Sequence, residues 1–497
     1  MDILRWLSGP KRFLGVEAPT GSGKSLLAVL TAVMGNKRSA ILTATKGLQT
    51  QMLKDFTMLT DIRGQNAYQC VVSEDPNVSV EDGSCHTGFF CAKKASGCYY
   101  YDALAAAKKD PILSTNYVYW ISQLKYSDGL GHRDLLICDE AHMLFGALES
   151  FRSFKIQDAQ INQYSFWNPP TADDPWEAWK EWAVRNKALL DGQLASLKEQ
   201  VDPEVRPPPS LAREIRRVNA LIHKCKSLTT SQGTWVVERE EGRYRGFSFS
   251  PVWPHHYACE LYRQVPKVIL MSATLTEKGM ELAGVPKDDY DFISVLSSYP
   301  ANLTPVSHIN TIRVNFRSTV EDLKQWVARI DQIIDRRLDR KGIIFTVSYK
   351  RRDFLMTESR HGHLMVSHST GDVIQAVDQF KRADAPRILV SPSVTSGYDF
   401  PGTDCDYIII GKVPYPDTTP KVIKARQEED KEWAGYTAMQ TIVQSSGRGT
   451  RSPGDRCEVF ITDDNWRWFW PKNKQYAPQW FHARVQSQSV GVTDPPF

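Results

Sequence analysis

The sequence has too few cysteines for a disulfide framework, no long apolar run and no strong excess of one charge. Its nine cysteines are an odd number spread over 497 residues, whereas disulfide-rich secreted domains are short and dense in cysteine. No stretch is long and apolar enough to span a bilayer, and residues 1–10 have no apolar signal-peptide core. We therefore predict a cytoplasmic protein with reduced thiols, no membrane partner and no targeting signal.

The charge balance is close to even. Lys and Arg total 61 against 57 for Asp and Glu, a formal net charge of +4, which favours a nucleic-acid partner only slightly. Hydrophobic residues form 41% of the chain, as is ordinary for globular domains. The length fits roughly three domains, and internal repeats and low-complexity tracts are absent.

A phosphate-binding loop is the strongest local signal. In "FLGVEAPTGSGKS" an apolar stretch precedes a glycine-rich loop, and the helix-like "LLAVLTAVM" follows it. Glycines let backbone N–H groups surround phosphate oxygens at the positive end of a helix. In this pattern the lysine reaches the β- and γ-phosphates and the serine holds Mg²⁺. The loop residues are Gly21, Ser22, Gly23, Lys24 and Ser25.

The acidic partner of this loop is "HRDLLICDEAH", in which an apolar run delivers Asp139 and Glu140 to the end of a buried strand. Asp139 is predicted to bind Mg²⁺, and Glu140 to orient and polarise the attacking water. On its own, such an acidic tetrapeptide is often only a solvated end of a strand. When it follows a phosphate loop by a distance that fits several βα units, it indicates nucleotide hydrolysis.

Two further segments complete a nucleotide-hydrolysing site. "VILMSATLT" places Ser272, Ala273 and Thr274 after another buried strand, and "QSSGRGTRSPGD" places Gln444, Arg448 and Arg451 near the end of the chain. Arginines three residues apart share one helical face and can reach a transferring phosphate from a second domain. A single arginine without the other motifs would more simply be explained as part of an ion pair on the surface.

In the order of its motifs, the sequence resembles the XPD/DinG-type branch of superfamily-two helicases. Further matching segments are "TATKGLQTQ", "STNYVYW", "GIIFTVSYKRR", "SVTSGYDFPG" and the Pro-rich "GKVPYPDTTP". The resemblance implies that Thr43, Thr45, Gln51, Ser348 and Ser396 contact nucleic acid. It also implies that Gly397 and Asp399 couple the nucleotide to the nucleic acid. The remaining matched positions are Leu48, Asn116, Tyr117, Tyr349 and Gly402.

This resemblance implies an α/β fold with two RecA-like parallel-sheet motor domains, the first interrupted by two insertions. The expected parts are motor domain one (1–60, 112–145 and 247–298), a cysteine domain (61–111), a helical arch (146–246) and motor domain two (299–497). The implied activity is an ATP-dependent DNA helicase, monomeric and moving 5′ to 3′ on single-stranded DNA at duplex junctions. An ATPase switch without unwinding and an RNA helicase remain alternatives.

Four of the cysteines, Cys70, Cys85, Cys91 and Cys98, lie between the loop and the DEAH box, separated by 14, 5 and 6 residues. Zinc sites prefer tighter pairs, whereas wider spacing suits the corners of an iron–sulfur cube. The resemblance implies a [4Fe–4S] cluster at this position, with zinc and plain thiols as alternatives. The remaining cysteines are predicted in the core: Cys138, Cys225, Cys259, Cys405 and Cys457.

The second insertion contains two features with open interpretations. Trp176, Trp179 and Trp182 recur every third residue, which favours a packed helical core over a base-stacking strip. The segment 211–226 has an apolar stripe, and its basic residues form either a solvated face or a phosphate-contacting one. The aromatic tail with Trp466, Trp468, Trp470 and Trp480 is likewise predicted to be core, with stacking as the alternative.

Only about twenty residues precede the phosphate loop, with no adenine-recognising element and no exonuclease-like segment. This shortness is typical of the minimal versions that phages or mobile elements encode. The preference for ATP over other nucleoside triphosphates rests on the resemblance alone.

Overall fold

The computed structural model describes residues 2–83, 85, 87, 89–124, 129–297, 300–369, 371–392, 400, 402–450 and 454–486. In this part of the chain the strands form two parallel sheets and one antiparallel sheet. The two parallel sheets are the centres of two α/β domains, which confirms the predicted fold class. No helix among these residues is long and apolar enough to cross a membrane.

The strands alternate with helices through most of both domains. Along the described chain the strands are β1 (Phe13–Glu17), β2 (Ser39–Thr43), β3 (Thr60–Asp61), β4 (Ile112–Asn116), β5 (Leu135–Asp139), β6 (Phe154–Gln157), β7 (Trp235–Glu240), β8 (Gly246–Pro251), β9 (Lys267–Ser272), β10 (Tyr290–Ser294), β11 (Val306–His308), β12 (Lys341–Phe345), β13 (Met365–Val366), β14 (Arg387–Ser391), β15 (Tyr407–Ile410) and β16 (Glu458–Ile461).

The α-helices are α1 (Asp2–Leu7), α2 (Lys24–Met34), α3 (Lys46–Asp55), α4 (Tyr99–Lys109), α5 (Tyr117–Gln123), α6 (Leu144–Arg152), α7 (Asp158–Gln163), α8 (Trp176–Glu199), α9 (Pro209–Thr229), α10 (Ala258–Leu261), α11 (Glu277–Leu282), α12 (Val320–Asp335), α13 (Tyr349–Glu358), α14 (Val373–Arg382), α15 (Lys421–Glu429), α16 (Trp433–Ser446), α17 (Trp466–Asn473) and α18 (Gln479–His482).

The first parallel sheet has the strand order β10-β1-β9-β5-β2-β4-β3. Its central strands are apolar and buried on both faces, as parallel strands covered by helices must be. The register pairs Glu17 with Ser272 on one side and with Ser294 on the other, and Asp139 with Met271. The segments that follow these strands therefore meet at one carboxyl edge, where ligands of open α/β sheets bind.

The second parallel sheet has the order β11-β16-β15-β12-β14-β13. It is surrounded by helices on both faces, and its core includes Ile343, Ile408 and Val459, which are fully buried. The chain end returns to this domain, where Val485 forms a parallel bridge with Val306 at the sheet edge.

The two insertions are built differently. The described residues between β3 and α4, which hold the four cysteines, form short 3₁₀ turns and loops. The second insertion contains the paired helices α8 and α9 on a small antiparallel sheet, β6-β8-β7. It is thus not wholly helical, and β8 extends it to Pro251 beyond the predicted end at residue 246. The reason is packing, since Phe247 and Phe249 lie against Trp179 with ring centroids 4.9 and 5.0 Å apart.

Most predicted core residues are buried, although Trp176 and Trp470 are only partly buried and two others are exposed. Trp179 and Trp182 lie in the arch core, which confirms the packing interpretation for these residues. Four cysteines outside the cluster of four are buried, but Cys259 is exposed because it lies on the short surface helix α10. Trp468 is 59% exposed, with the Arg313 guanidinium 4.5 Å from its ring centroid, so it does not belong to the core.

Candidate functional site

The segment between β1 and α2 forms an open loop at the carboxyl edge of the first sheet. Gly21 and Gly23 have φ values of 76° and 79°, which residues with side chains rarely adopt. Gly23 precedes α2, and no side chain at that position caps the helix. The N–H groups of the first turn can therefore face anionic oxygens, as a phosphate-binding role for Gly21, Ser22, Gly23 and Ser25 requires.

Lys24 is folded over this loop. The residue is 9% exposed, and its Nζ donates to Ala18 O at 3.2 Å and to Pro19 O at 3.3 Å. Neutral carbonyl oxygens are weaker acceptors than charged phosphate oxygens. The ammonium group can therefore exchange these partners for a nucleotide phosphate without leaving the loop.

Asp139 and Glu140 follow β5 at the same edge. Asp139 is buried, and Glu140 has a φ of 52°, a left-handed conformation that is concentrated at functional sites in residues other than glycine. Glu140 Oε2 lies 3.2 Å from His142 Nδ1. The same nitrogen lies 2.8 Å from Ser272 Oγ at the end of β9. His142 therefore connects the acidic pair to the segment after β9.

The two carboxyl groups differ in their affinity for protons. Burial, together with the charge of Glu140, raises the pKa of Asp139. Burial also disfavours the ionised form of Glu140, yet the pKa of Glu140 is lowered overall. The hydrogen bond with His142 and the charges of Lys24 and Arg448 outweigh the burial. Glu140 is therefore ionised at neutral pH, as a group that orients water must be.

The second motor domain contacts the segment after β9 through α16. Gln444 Nε2 donates to Thr274 Oγ1 at 2.8 Å, and Thr274 Oγ1 lies 3.4 Å from Ser272 Oγ. Trp480 Nε1 donates to Ala273 O at 3.0 Å from another part of the same domain. The predicted Ser272–Thr274 segment is thus held from both domains.

The loop after α16 faces the phosphate loop directly. A Cβ placed on Gly447 would lie 3.4 Å from Thr20 Oγ1, so Gly447 lies against the side chain of Thr20 in the phosphate loop. Arg448 is 9% exposed, burial lowers its pKa, and the charge of Glu140 acts on it in the opposite sense. Arg448 is therefore close enough to Glu140 for their opposite charges to interact. Arg451 lies outside the described residues.

Glu17, the last residue of β1, is a buried acid that sequence reasoning missed. It is 2% exposed, and Ser294 Oγ donates to its Oε2, while its Oε1 has no hydrogen-bond partner among the described residues. Burial raises the pKa of Glu17 to about 7, although the charge of Lys24 acts in the opposite sense. A lone acid at the end of an apolar strand, directly before the loop, is the signal that could have identified it.

Replacing Glu17 by glutamine is expected to stabilise the fold more at pH 8 than at pH 5. The raised pKa means that the folded state holds a proton which the unfolded state releases, so native stability falls as pH rises through 4.5 to about 7. Between pH 5 and pH 8 the difference in free energy of unfolding between the variant and the native protein should grow by about 2 kcal/mol. Chemical denaturation at both pH values measures this difference, and the same difference at both pH values contradicts the assignment.

The four clustered cysteines border one pocket. Cys98 is buried and the other three are partly buried. A Cβ placed on Gly83 would lie 3.5 Å from Cys70 Sγ and 3.6 Å from Cys85 Sγ. Burial raises the pKa of the Cys85 thiol, and the other three thiols add to this effect. The apolar part of the lining is contributed by Val71, Val72, Val80 and Phe89.

These thiols do not converge as the ligands of one ion must. Metal–sulfur bonds of about 2.3 Å in a tetrahedral zinc site keep the sulfur atoms within about 4 Å of one another. Among the described residues, no group of three or more His, Cys, Asp and Glu side chains could hold a metal ion. The four thiols nevertheless border one largely apolar pocket, and cysteine thiolates are the usual ligands of iron–sulfur clusters.

A pocket of about 1050 Å³, called the channel below, lies between motor domain one, the cysteine insertion and the arch. Lys46 and Asn116 line it from the motor domain, Asn66 from the cysteine insertion, and His223 and Lys226 from the arch helix α9. Its other charged lining residues are Arg152, Glu81 and Glu260. Cationic and amide side chains such as these can contact the phosphate backbone of a nucleic acid.

Several residues predicted to contact nucleic acid have structural hydrogen bonds. Thr43 Oγ1 donates to Thr45 O at 3.2 Å, while Thr45 Oγ1 accepts from Leu48 N at 3.2 Å and caps α3. Ser348 caps α13 in the same way. Gln51 is exposed on α3. The nucleic-acid role of these residues stays a prediction, and Ser396, Gly397 and Asp399 lie outside the described residues.

Asn116 and Tyr117 connect the channel to the nucleotide cleft. Asn116 Oδ1 accepts from Tyr119 N at 3.0 Å and caps α5, and Asn116 also lines the channel. The next residue, Tyr117, is fully buried, and its Oη donates to Asp139 O at 2.7 Å. Two consecutive residues therefore contact the channel at one end and the backbone of Asp139 at the other.

Comparisons with known proteins agree with this geometry. Residues 3–166 match the family "Type III restriction enzyme, res subunit", and residues 334–484 match "Helicase C-terminal domain". No curated protein matches the chain. The two matched segments contain the phosphate loop, the acidic pair, Gln444 and Arg448.

Three solved structures share the fold over almost the whole chain. An XPD helicase matches with a TM-score of 0.65 and 18% identity, covering 98% of this chain and 97% of that one. An apo XPD structure gives 0.59 and 16%, covering 95% and 97%. Xpd4 of S. tokodaii gives 0.58 and 15%, covering 95% of each chain. The chain has the fold of XPD-type helicases, and its family matches support a helicase or ATPase activity.

Proposed function

We propose that this chain is an ATP-dependent DNA helicase that moves as a monomer along single-stranded DNA and opens duplex junctions. The observation that carries the proposal is the assembled cleft. Gln444 contacts Thr274 across the domain boundary, and Arg448 lies buried opposite Glu140. A site completed by two domains changes when they separate, which allows hydrolysis to drive movement.

Each residue in the cleft has a distinct task during hydrolysis of ATP. Lys24 and the loop N–H groups hold the β- and γ-phosphates, and Glu140 orients the attacking water. Ser25 and Asp139 would hold Mg²⁺, which neutralises charge developing between these phosphates. Arg448 stabilises the transferring phosphoryl group from the second domain. Arg451 is proposed to assist it.

Coupling to the nucleic acid would follow the path from Asn116 through Tyr117 to Asp139. A strand in the channel would contact Asn116 and cations such as Lys46 and Lys226. Because Tyr117 donates to the Asp139 carbonyl, displacement of this segment shifts the acidic pair. The similarity to XPD-type structures is what supports DNA as substrate and 5′ to 3′ movement.

Hydrolysis measured with and without single-stranded DNA tests the proposed function. The coupling path predicts stimulation of about tenfold or more, the scale of free-energy couplings between distant sites. Equal rates in the presence and absence of DNA, with RNA stimulating instead, would replace DNA by RNA as the substrate. Equal rates with both nucleic acids would contradict a translocating motor.

We further propose that Cys70, Cys85, Cys91 and Cys98 hold a [4Fe–4S] cluster. Supporting this are the position of all four thiols around one pocket and the apolar lining of that pocket. The insertion that contains these residues has little regular structure of its own. Binding of a cluster to four thiolates would cross-link it and fix the wall of the channel that it forms.

Replacing Cys91 by serine is expected to remove the cluster and to reduce strand separation far more than ATP hydrolysis. The native chain, purified without oxygen, should contain about four iron and four sulfide atoms, and the variant should contain almost none. Iron and sulfide analysis is the readout. Cys259→Ser is the matched control, because that thiol is exposed and far from the pocket. Stoichiometric zinc without sulfide in the native protein would contradict the cluster.

A further inference from the structure

Helix α15 of motor domain two lies across the boundary to the arch and motor domain one. Lys421 Nζ lies 2.8 Å from Asp173 Oδ1 in the arch, and Lys421 N donates to Glu238 Oε1 at 2.6 Å. Farther along the chain, Glu429 Oε2 accepts from Trp253 Nε1 at 2.6 Å. Contacts along the whole helix therefore reach the base of the arch.

Arg426 is the centre of this contact and is 1% exposed. Its Nε donates to Val252 O at 2.7 Å, and its Nη2 donates to Glu149 Oε1 at 2.6 Å and to Pro251 O at 3.2 Å. Val252 and Pro251 end the arch sheet, and Glu149 lies on α6, which follows the DEAH box. A buried guanidinium with several fixed partners holds these elements in one geometry.

The aromatic neighbours of Arg426 extend the connection on both sides. Its guanidinium lies 4.9 Å from the ring centroid of Phe145 on α6 and 5.6 Å from that of Trp433. Trp433 begins α16, the helix that carries Gln444 to the cleft. Arg426 therefore contacts the helix after the DEAH box, the arch base and the helix that completes the nucleotide site.

At its other end the arch contacts the cysteine insertion through hydrogen bonds and an ion pair. The backbone N–H of Phe90 donates to Pro203 O at 2.9 Å, and Arg206 Nη1 donates to Val72 O at 2.6 Å. Arg216 Nη1 lies 2.5 Å from Asp82 Oδ1. These three contacts lie between or beside the clustered cysteines, and Arg206 and Val72 both line the cysteine pocket. In this arrangement both the cleft and the arch contact are closed.

We propose that α15, through Arg426, couples closure of the nucleotide cleft to closure of the arch over the cysteine insertion. When motor domain two moves away from motor domain one, α15 pulls on the arch base at Val252 and releases the contact of the arch with Phe90. Arg426 is thus a positioning residue that lets the nucleotide control the channel. This inference rests on the proposed function, because it takes the cleft to be a nucleotide site.

Hydrogen exchange of the Phe90 amide tests this coupling. In the native protein, adding ADP with beryllium fluoride should slow this exchange at least about fivefold relative to the nucleotide-free state. In Arg426→Gln the ratio should fall to about one. Arg239→Gln is the matched control, because Arg239 forms its bidentate pair with Asp158 within the arch and should keep the native ratio.

A second variant controls for the case that Arg426→Gln fails to fold. Trp253→Phe removes the hydrogen bond to Glu429 and keeps an aromatic ring beside Phe145 and His255. It should lower the ratio by at least about half, with a melting temperature near the native value. A native-like ratio in both variants, or a native ratio of one, overturns the coupling. DNA-stimulated hydrolysis should be measured on the same samples. If only the coupling is wrong, DNA still stimulates hydrolysis; if the proposed function is wrong, it does not.

Discussion

Replacement of Arg448 by alanine is expected to lower the turnover of ATP by about 10³- to 10⁵-fold, the effect of removing an arginine that stabilises phosphoryl transfer. The residue is buried at the end of α16, faces Glu140 across the cleft and follows a glycine that touches the phosphate loop. Its positive charge meets the γ-phosphate only when the domains close. The loss should therefore appear in kcat rather than in nucleotide affinity.

Steady-state phosphate release and nucleotide binding should be measured on the same preparation. Arg329→Ala is a matched control, because Arg329 is exposed on α12 and donates to Gln332 on the same helix. This control should hydrolyse ATP like the native protein. An Arg448 variant that retains more than a tenth of native turnover would remove this residue from the site.

Glutamine at position 140 is expected to lower turnover by about 10²- to 10⁴-fold, the usual contribution of a positioned acid or base. The substitution keeps the shape of the side chain but removes the charge that the environment of Glu140 favours. Nucleotide and single-stranded DNA should still bind, since Lys24, the loop N–H groups and the channel are unchanged. The variant should thus hold both ligands without turning over.

A single-turnover experiment separates these effects by measuring binding and hydrolysis in turn. Glu177→Gln, an exposed acid in the first turn of α8, is the control for loss of a carboxylate and should behave as native. Normal turnover in Glu140→Gln would mean that water is activated by another group. Lost nucleotide binding would instead indicate a structural role for Glu140.

The sequence was sufficient to predict the motif-bearing strand ends and the two parallel sheets. An apolar run followed by Asp139 and Glu140, or by Ser272, has one simple place in an α/β domain, the carboxyl edge of a sheet. Parallel pairing then brings these residues together whatever the loops between them. The burial of Trp179 and Trp182 also followed from helical spacing.

Contacts between distant segments could not be predicted in the same way. The bonds of Arg426 and the partner of Glu17 depend on which surfaces meet, and no local pattern encodes that. The arch sheet was missed because its short strands flank long helices whose periodicity dominates the region. Cys259 was assigned to the core from its apolar neighbours, yet it lies on the outer face of a four-residue helix.

Strand displacement on matched duplexes with either a 5′ or a 3′ single-stranded tail tests the central claim most directly. The native protein, purified without oxygen, should open the 5′-tailed duplex alone and only with ATP, and Glu140→Gln should open neither. Displacement of the 3′-tailed duplex instead would contradict the proposed polarity. Failure on both duplexes, with DNA-stimulated hydrolysis intact, would contradict the helicase and leave a DNA-bound ATPase switch.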